Sequence, residues 1–176
     1  IYMTETLEEP KFEKIEEHRR FEVRHYSDTI QARVSMSDID RKDSSQGFRK
    51  IAGYIFGKNE HSQQIAMTAP VHLWKEENHG MMAFTMPSEY TISDLPLPNN
   101  SEVMITEVKG LVMAAMKFSG FSGRKKCLRK VKKLEEGLKM AGYIASGEPI
   151  LAVYDNPTTT LPFMRRNEIL IPLKWY

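Results

Sequence analysis

The chain has 176 residues, enough for one domain with a sizeable core. Apolar residues make up 41% and charged residues 27%, the balance of a soluble globular protein. The net charge of +2 is too close to neutral to point to nucleic acid, and a single cysteine, Cys127, excludes an intramolecular disulfide framework.

The first residues, 1–9, are polar and acidic and read as a loose arm. Acidic residues continue from Glu8 to Glu22 and read as exposed charges flanking a strand. FEVRHYSDTIQARVSM (21–36) reads as two short strands around a turn at Ser27-Asp28. A polar lead-in, DIDRKDSS (38–45), offers Ser44 or Ser45 as a helix N-cap. The helix that follows places Phe48, Ile51, Ala52 and Ile55 on one face at i, i+3, i+4 and i+7. Gly57 is the expected stop, because glycine takes a left-handed conformation without a Cβ clash. A strand is expected over 65–74, with Pro70 near an end or bulge of its first part, then a hairpin connection at 75–80 and a strand at 81–86.

Residues 87–100 carry Pro87, Pro96 and Pro98 and read as a linker tacked down by Tyr90, Ile92 and Leu95. VMITEVKGLVMAAMKF (103–118) again reads as two strands, with Gly110 at the turn. A helix is expected at about 125–141, then strands at 150–154 and 168–173, separated by an irregular loop at 155–162 that leads into Phe163, Met164, Arg165 and Arg166. The order strand-strand-helix-strand-strand therefore occurs twice, in halves of about 11–87 and 101–173 within a single domain. Each half alone leaves an apolar sheet face open. Two halves packed face to face or closed edge to edge bury it, and their interface is a natural ligand cleft.

No apolar run approaches the ~18 residues of a membrane span, and no signal peptide is present. The chain begins with Ile, so the compartment stays open: cytoplasm, or periplasm or a membrane anchor if an N-terminal segment is missing.

Candidate chemistry is sparse. No GxSxG, phosphate-cradling glycine loop or Cys-His nucleophile motif occurs, which argues against an enzyme. His18, His25, His61, His72 and His79 show no HxxxH or HExxH spacing, which argues against zinc, although one histidine suffices as an axial ligand to haem iron. Cys127 falls on the apolar face of the second helix with Val131, Leu134, Leu138 and Ala141 and reads as a small core residue. The cations Arg124, Lys125, Lys126, Arg129, Lys130, Lys132 and Lys133 form that helix's solvated face. Eleven methionines are many; Met67, Met82, Met86, Met113 and Met116 serve equally as core filler or as an adaptable pocket lining. A cationic edge on the first helix beside a strand of small residues makes a candidate cleft for a flat apolar anion; an ordinary helix packed on a sheet fits the same pattern.

Seven segments, in order and over nearly the whole chain, resemble the SOUL haem-binding protein family: FEVRHY (21–26), GFRKIAGYIFGKNE (47–60), IAMTAPV (65–71), FTMPSEY (84–90), LPLPNN (95–100), FSGF (118–121) and RRNEILIP (165–172). The resemblance implies an α+β fold: a distorted antiparallel β-barrel with two helices, built from two pseudo-symmetric β-β-α-β-β halves. It implies non-covalent binding of haem or a related tetrapyrrole by a carrier, buffer or sensor, in an apolar cleft beside the first helix. His25 stands at the position of an implied iron ligand, and Arg49, Lys50 and Lys58 match basic residues that face propionates, with Met67 in the IAMTAPV strand beside them. The alternative is a small-molecule effector-binding or protein-interaction module without physiological haem, since the duplicated plan is also similar to effector-binding domains of bacterial regulators. The implied partner is haem or a porphyrin and not nucleic acid, and the sequence leaves the oligomeric state open.

Overall fold

The computed structural model describes residues 7–120, 122–155 and 165–175, apart from the side chain of Arg41. Its strands are β1 (Phe12–Glu17), β2 (Glu22–Tyr26), β3 (Thr29–Met36), β4 (Val71–Glu76), β5 (His79–Thr85), β6 (Met104–Val108), β7 (Val112–Ser119), β8 (Ile150–Val153) and β9 (Arg166–Pro172). The helices are α1 (Arg41–Ile55) and α2 (Arg124–Ala141). All nine strands join one antiparallel sheet in the order β1-β2-β7-β9-β8-β4-β5-β3-β6, which curls into a half-barrel left open between β1 and β6. Among the described residues no helix is long and apolar enough to cross a membrane.

The strands of the two halves are interleaved. β2 pairs with β7, and β6 pairs with β3, so β1 and β2 lie beside strands of the second half and β6 beside one of the first. β4 and β8 meet at the centre. The exchange is clasped where two turns cross: Gly110 N–H donates to Asp28 Oδ1 (2.7 Å) and Tyr26 N–H to Leu111 O (3.0 Å). Gly110 allows this approach because a Cβ there would lie 2.0 Å from Tyr26 O.

Both helices cover the same, convex face. On α1, Ile51, Tyr54 and Ile55 are buried among Ala32, Val34, Met82 and Phe84. On α2, Leu134 and Leu138 are buried among Val23, Ala114, Ile169 and Ile171. Full burial of such side chains contributes about 1.5–3 kcal/mol each. Phe48, expected on the buried stripe, is 40% exposed, although its ring still packs 5.4 Å from that of Phe84. Cys127 is half-buried at the edge of the α2 core, and burial pushes its thiol pKa up.

Several boundaries differ from expectation. The cap of α1 is Asp40, whose Oδ1 accepts from Asp43 N–H (2.7 Å), rather than Ser44 or Ser45; the helix therefore starts a turn earlier. At its other end Gly57 has the expected positive φ, 115°. Residues 65–70 are not a regular strand. They carry only an isolated bridge, and Pro70 has no N–H to give to a ladder, so β4 starts at Val71. The hairpin strands extend into the connection expected at 75–80 and turn at Glu77-Asn78. β1 arises where only flanking charges were expected, as an edge strand exposed along its whole length. The arm is not loose at its end: Ala69 N–H donates to Glu8 O (2.9 Å) and Ser88 N–H to the Glu8 carboxylate (2.9 Å). Residues 1–6, and 156–164 of the irregular loop with Phe163 and Met164, lie outside the described residues. Ile92, expected to tack down the linker, is 41% exposed, whereas Leu95 is buried.

Candidate functional site

Two cavities flank the sheet. The larger, about 550 Å³, touches strands from β2 through β9 and β4 to β3 and β6. A cavity that meets so many strands of one curled sheet lies inside the curl, on the face without helices. Ladder register explains its shape. Arg33, Ala83, His72, Ala152 and Glu168 stand opposite one another on successive strands, so their side chains form one inward-facing row. Of this row, Arg33 and His72 line the cavity. A parallel row of Trp74, Ile150 and Leu170 gives the cavity an apolar wall.

One end of the polar row is saturated. The Arg24 guanidinium grips the Glu168 carboxylate with both terminal nitrogens, at 3.0 and 2.6 Å, and also donates to Tyr26 Oη (2.8 Å) and Glu22 Oε1 (3.2 Å). Tyr154 Oη donates to Glu168 as well. Arg24 and Glu168 are each 2% exposed. Burial alone pushes the Arg24 pKa down, but its bonds to Glu168 and Tyr26 outweigh that and raise it. Burial, opposed by Arg24, pushes the Tyr26 phenol up to about 12. The charge of Glu168 is thus neutralised within the row. Arg24 Nε is buried without a partner.

At the other end Arg33 is half-buried. Its Nε donates to Gln31 Oε1 (2.9 Å), and its guanidinium carbon sits 5.1 Å from the Trp74 ring centroid. Among the described residues it has no carboxylate within ion-pair distance. Burial holds its pKa below the ordinary value, opposed by the more distant Glu76. Between the two arginines His72 is 9% exposed, and burial pushes its imidazole down to about 4, so it is neutral at pH 7.

The smaller cavity, about 240 Å³, lies outside the curl on the free edge of α1, lined by Arg49, Lys50, Gly53, Tyr54, Lys58, Pro98 and Asn100. Lys58 is fixed by its backbone, whose N–H donates to Gly53 O (2.9 Å) and whose O accepts from Asn99 N–H (3.2 Å). Its stem crosses Gly53, where a Cβ would sit 3.2 Å from Lys58 Cδ. Lys50 pairs with Glu102; among the described residues Arg49 and Lys58 have no ion-pair partner. Tyr54 closes the floor, donating its hydroxyl to Pro96 O (2.7 Å), and burial pushes its pKa up to about 12.

The structure therefore brings Arg49, Lys50 and Lys58 together. Met67 lines neither cavity; it packs half-buried against the α1 core. His25 is exposed on β2 and also lines neither cavity. It follows the alternation of Val23, on the helix-bearing face, opposite to Arg24 and Tyr26. Among the described residues no group of three or more His, Cys, Asp and Glu side chains is placed to hold a metal ion. Sequence reasoning missed the Arg24–Glu168 pair and Arg33. Its available signal was a charged residue amid an otherwise apolar strand, as in QARV and NEIL.

The family model described as SOUL heme-binding protein matches residues 7–172. Heme-binding protein 2 of Homo sapiens is 30% identical over 158 residues, covering 85% of this chain and 76% of that protein. Among solved structures, the C-terminal domain of EcmrR is similar with a TM-score of 0.69 at 11% identity, covering 89% of this chain and 98% of that one. A Listeria innocua protein described as a hydrolase gives 0.65 at 11% identity, covering 89% and 92%. At such identity these two likenesses show the fold alone. The match over almost the full length, together with the human relative, places the chain in a family: it belongs to the SOUL haem-binding proteins.

Proposed function

We propose that the protein binds haem or a related tetrapyrrole without covalent attachment, as a carrier, buffer or sensor and not as an enzyme, with the propionates held by Arg49, Lys50 and Lys58 beside α1. The observation that carries this reading is the convergence of those three cations on one cleft in a member of a haem-binding family. Propionates are anions, and lysine and arginine pair with them through charge-assisted hydrogen bonds.

The residues fit the group at its polar edge. At about 240 Å³ the cleft is smaller than the roughly 300–1,000 Å³ of ligand pockets that enclose their ligand. It suits carboxylates, leaving the macrocycle over the adjoining surface, where Phe56 and Leu97 are 61% and 67% exposed. Covering such apolar surface supplies affinity by burial. The redox or ligand chemistry of an iron centre belongs to the bound group; these side chains hold and orient it. His25 is open to solvent but outside this cleft, so it serves as iron ligand only to a macrocycle seated at β2.

Haemin titration followed by Soret absorbance tests the reading on wild type, on His25→Ala and on a variant with Arg49, Lys50 and Lys58 all changed to Gln. The expected result is saturable one-site binding, weakened by about tenfold in the triple variant, since exposed ion pairs contribute up to about 1 kcal/mol each. A changed spectrum in His25→Ala moves the macrocycle to β2. An unaltered affinity in the triple variant removes the α1 cleft, and no specific binding at micromolar haemin overturns the function.

A further inference from the structure

The α1 reading leaves the cavity inside the curl without a role. We propose that this inner cavity is a second binding site, for small apolar monocarboxylates of aromatic or branched type, with the carboxylate on Arg33 and the body against Trp74, Met113, Ile150 and Leu170. This inference does not rest on the tetrapyrrole reading.

The volume, about 550 Å³, lies in the range of pockets that enclose small ligands. The free fork of Arg33 sets the sign of the ligand's charge. Glu76, Glu77 and Glu148 line the cavity with Arg33, Lys75 and Lys109, and Glu168, in the inward-facing row, is already held through both oxygens by Arg24. Of the lining acids, Glu76 is already engaged, accepting from Trp74 Nε1 and lying 3.8 Å from His79 Nε2. At the rim Lys75 and Lys109 are paired with Asp38 (3.2 Å) and Asp28 (3.5 Å). Arg33 differs from all of these. Its Nε is committed to Gln31, while among the described residues its two terminal nitrogens have no hydrogen-bond partner. They form one edge of a planar fork that matches a carboxylate bidentately.

The indole of Trp74 holds the guanidinium in place. Trp74 Nε1 donates to Glu76 Oε1 (3.0 Å), which fixes the ring, and the ring faces Arg33. The same ring edges the apolar wall, so one residue positions the cation and supplies surface for the ligand body. His72, neutral at pH 7, adds a ring nitrogen to the same lining without adding charge.

The test is calorimetric titration of the purified protein with 1-naphthoate, with naphthalene-1-carboxamide as the neutral isostere and tetraphenylphosphonium as the cation. One-site binding of naphthoate is expected, with the amide and the cation each at least tenfold weaker. Arg33→Gln should weaken naphthoate roughly 10- to 100-fold, the range for a hydrogen-bonded charged group, and leave haemin binding unchanged. Met113→Trp fills the cavity without altering Arg33 and should abolish binding in a protein that stays folded by circular dichroism. Equal affinity for the cation, indifference to Arg33→Gln, failure of naphthoate to bind, or competitive displacement of naphthoate by haemin each overturns the inference. Haemin failing to bind while naphthoate behaves as expected removes the tetrapyrrole reading alone.

Discussion

Outside the curl, Arg49, Lys50 and Lys58 surround a cleft of about 240 Å³; inside it, Arg33 is the one interior cation without an ion pair among the described residues and faces about 550 Å³ walled by Trp74, Ile150 and Leu170. The first arrangement concentrates charge at an exposed edge. The second sets an apolar wall beside Arg33, with Glu76, Glu77 and Glu148 also in its lining. Exposed charge gives long-range attraction that salt screens, whereas an enclosed site gives burial plus one directional contact. The two regions thus suit different parts of ligand chemistry, although both favour anions. What separates them is enclosure: Arg33 meets its ligand within the curl, in the row where Arg24 already neutralises Glu168.

That neutralisation is also the feature whose removal should do most damage. Glu168→Gln leaves Arg24 as a buried charge with only Glu22 beside it, and should cost about 3–5 kcal/mol in urea unfolding. Replacing both partners, Arg24→Met with Glu168→Leu, should recover much of the loss. If the single variant loses less than 1 kcal/mol, the pair does not organise the interior row.

The interior row gives the next effect, through pH. The folded pKa of His72, about 4, lies below the ordinary value of 6.5. Between those values the unfolded chain binds the extra proton, so stability rises with pH; equivalently, it is lost as pH falls from 6.5 through 4. The loss attributable to His72 should approach about 3 kcal/mol, from 1.36 kcal/mol per pKa unit. Unfolding curves of wild type and His72→Phe at pH 7 and pH 4.5 isolate it, because shifted carboxylates act on both proteins alike. Equal acid sensitivity in the two would show that His72 is not held neutral by burial. Gly110→Ala should follow, at about 1–3 kcal/mol, because its Cβ would force the crossing turns apart at Tyr26 O.

Much of this architecture was legible because periodicity reports burial. Ile51, Ile55, Leu134 and Leu138 lie on the expected helix faces, and the strands of both halves appear near their expected places. β1 was not legible, since an edge strand exposed along both faces buries nothing that a pattern can reveal. The exchange of β2 and β6 between the halves was hidden for another reason: pairing partners depend on long-range register, which local alternation does not encode. At the candidate site, Arg49, Lys50 and Lys58 were identified from the family motif, and the α1 geometry brings them together. The inner cavity was missed because its polar residues come from separate strands. Arg33, His72 and Glu168 meet only once β3, β5, β4, β8 and β9 are set side by side.

The smallest expected effect separates the two cavities most directly. Screening shortens from about 30 Å at 0.01 M salt to about 3 Å at 1 M. Arg49 and Lys58 are exposed, so attraction of haemin to the α1 cleft should weaken across that range, by several-fold. Arg33 is half-buried against Trp74, where solvent ions enter less freely, so naphthoate should lose less affinity over the same range. Parallel titrations at both salt concentrations give the ratio. A steeper salt dependence for naphthoate than for haemin would mean that Arg33 is reached by bulk solvent and that the inner cavity does not enclose its ligand. Identical dependences with mutual competition would reduce the two regions to one site.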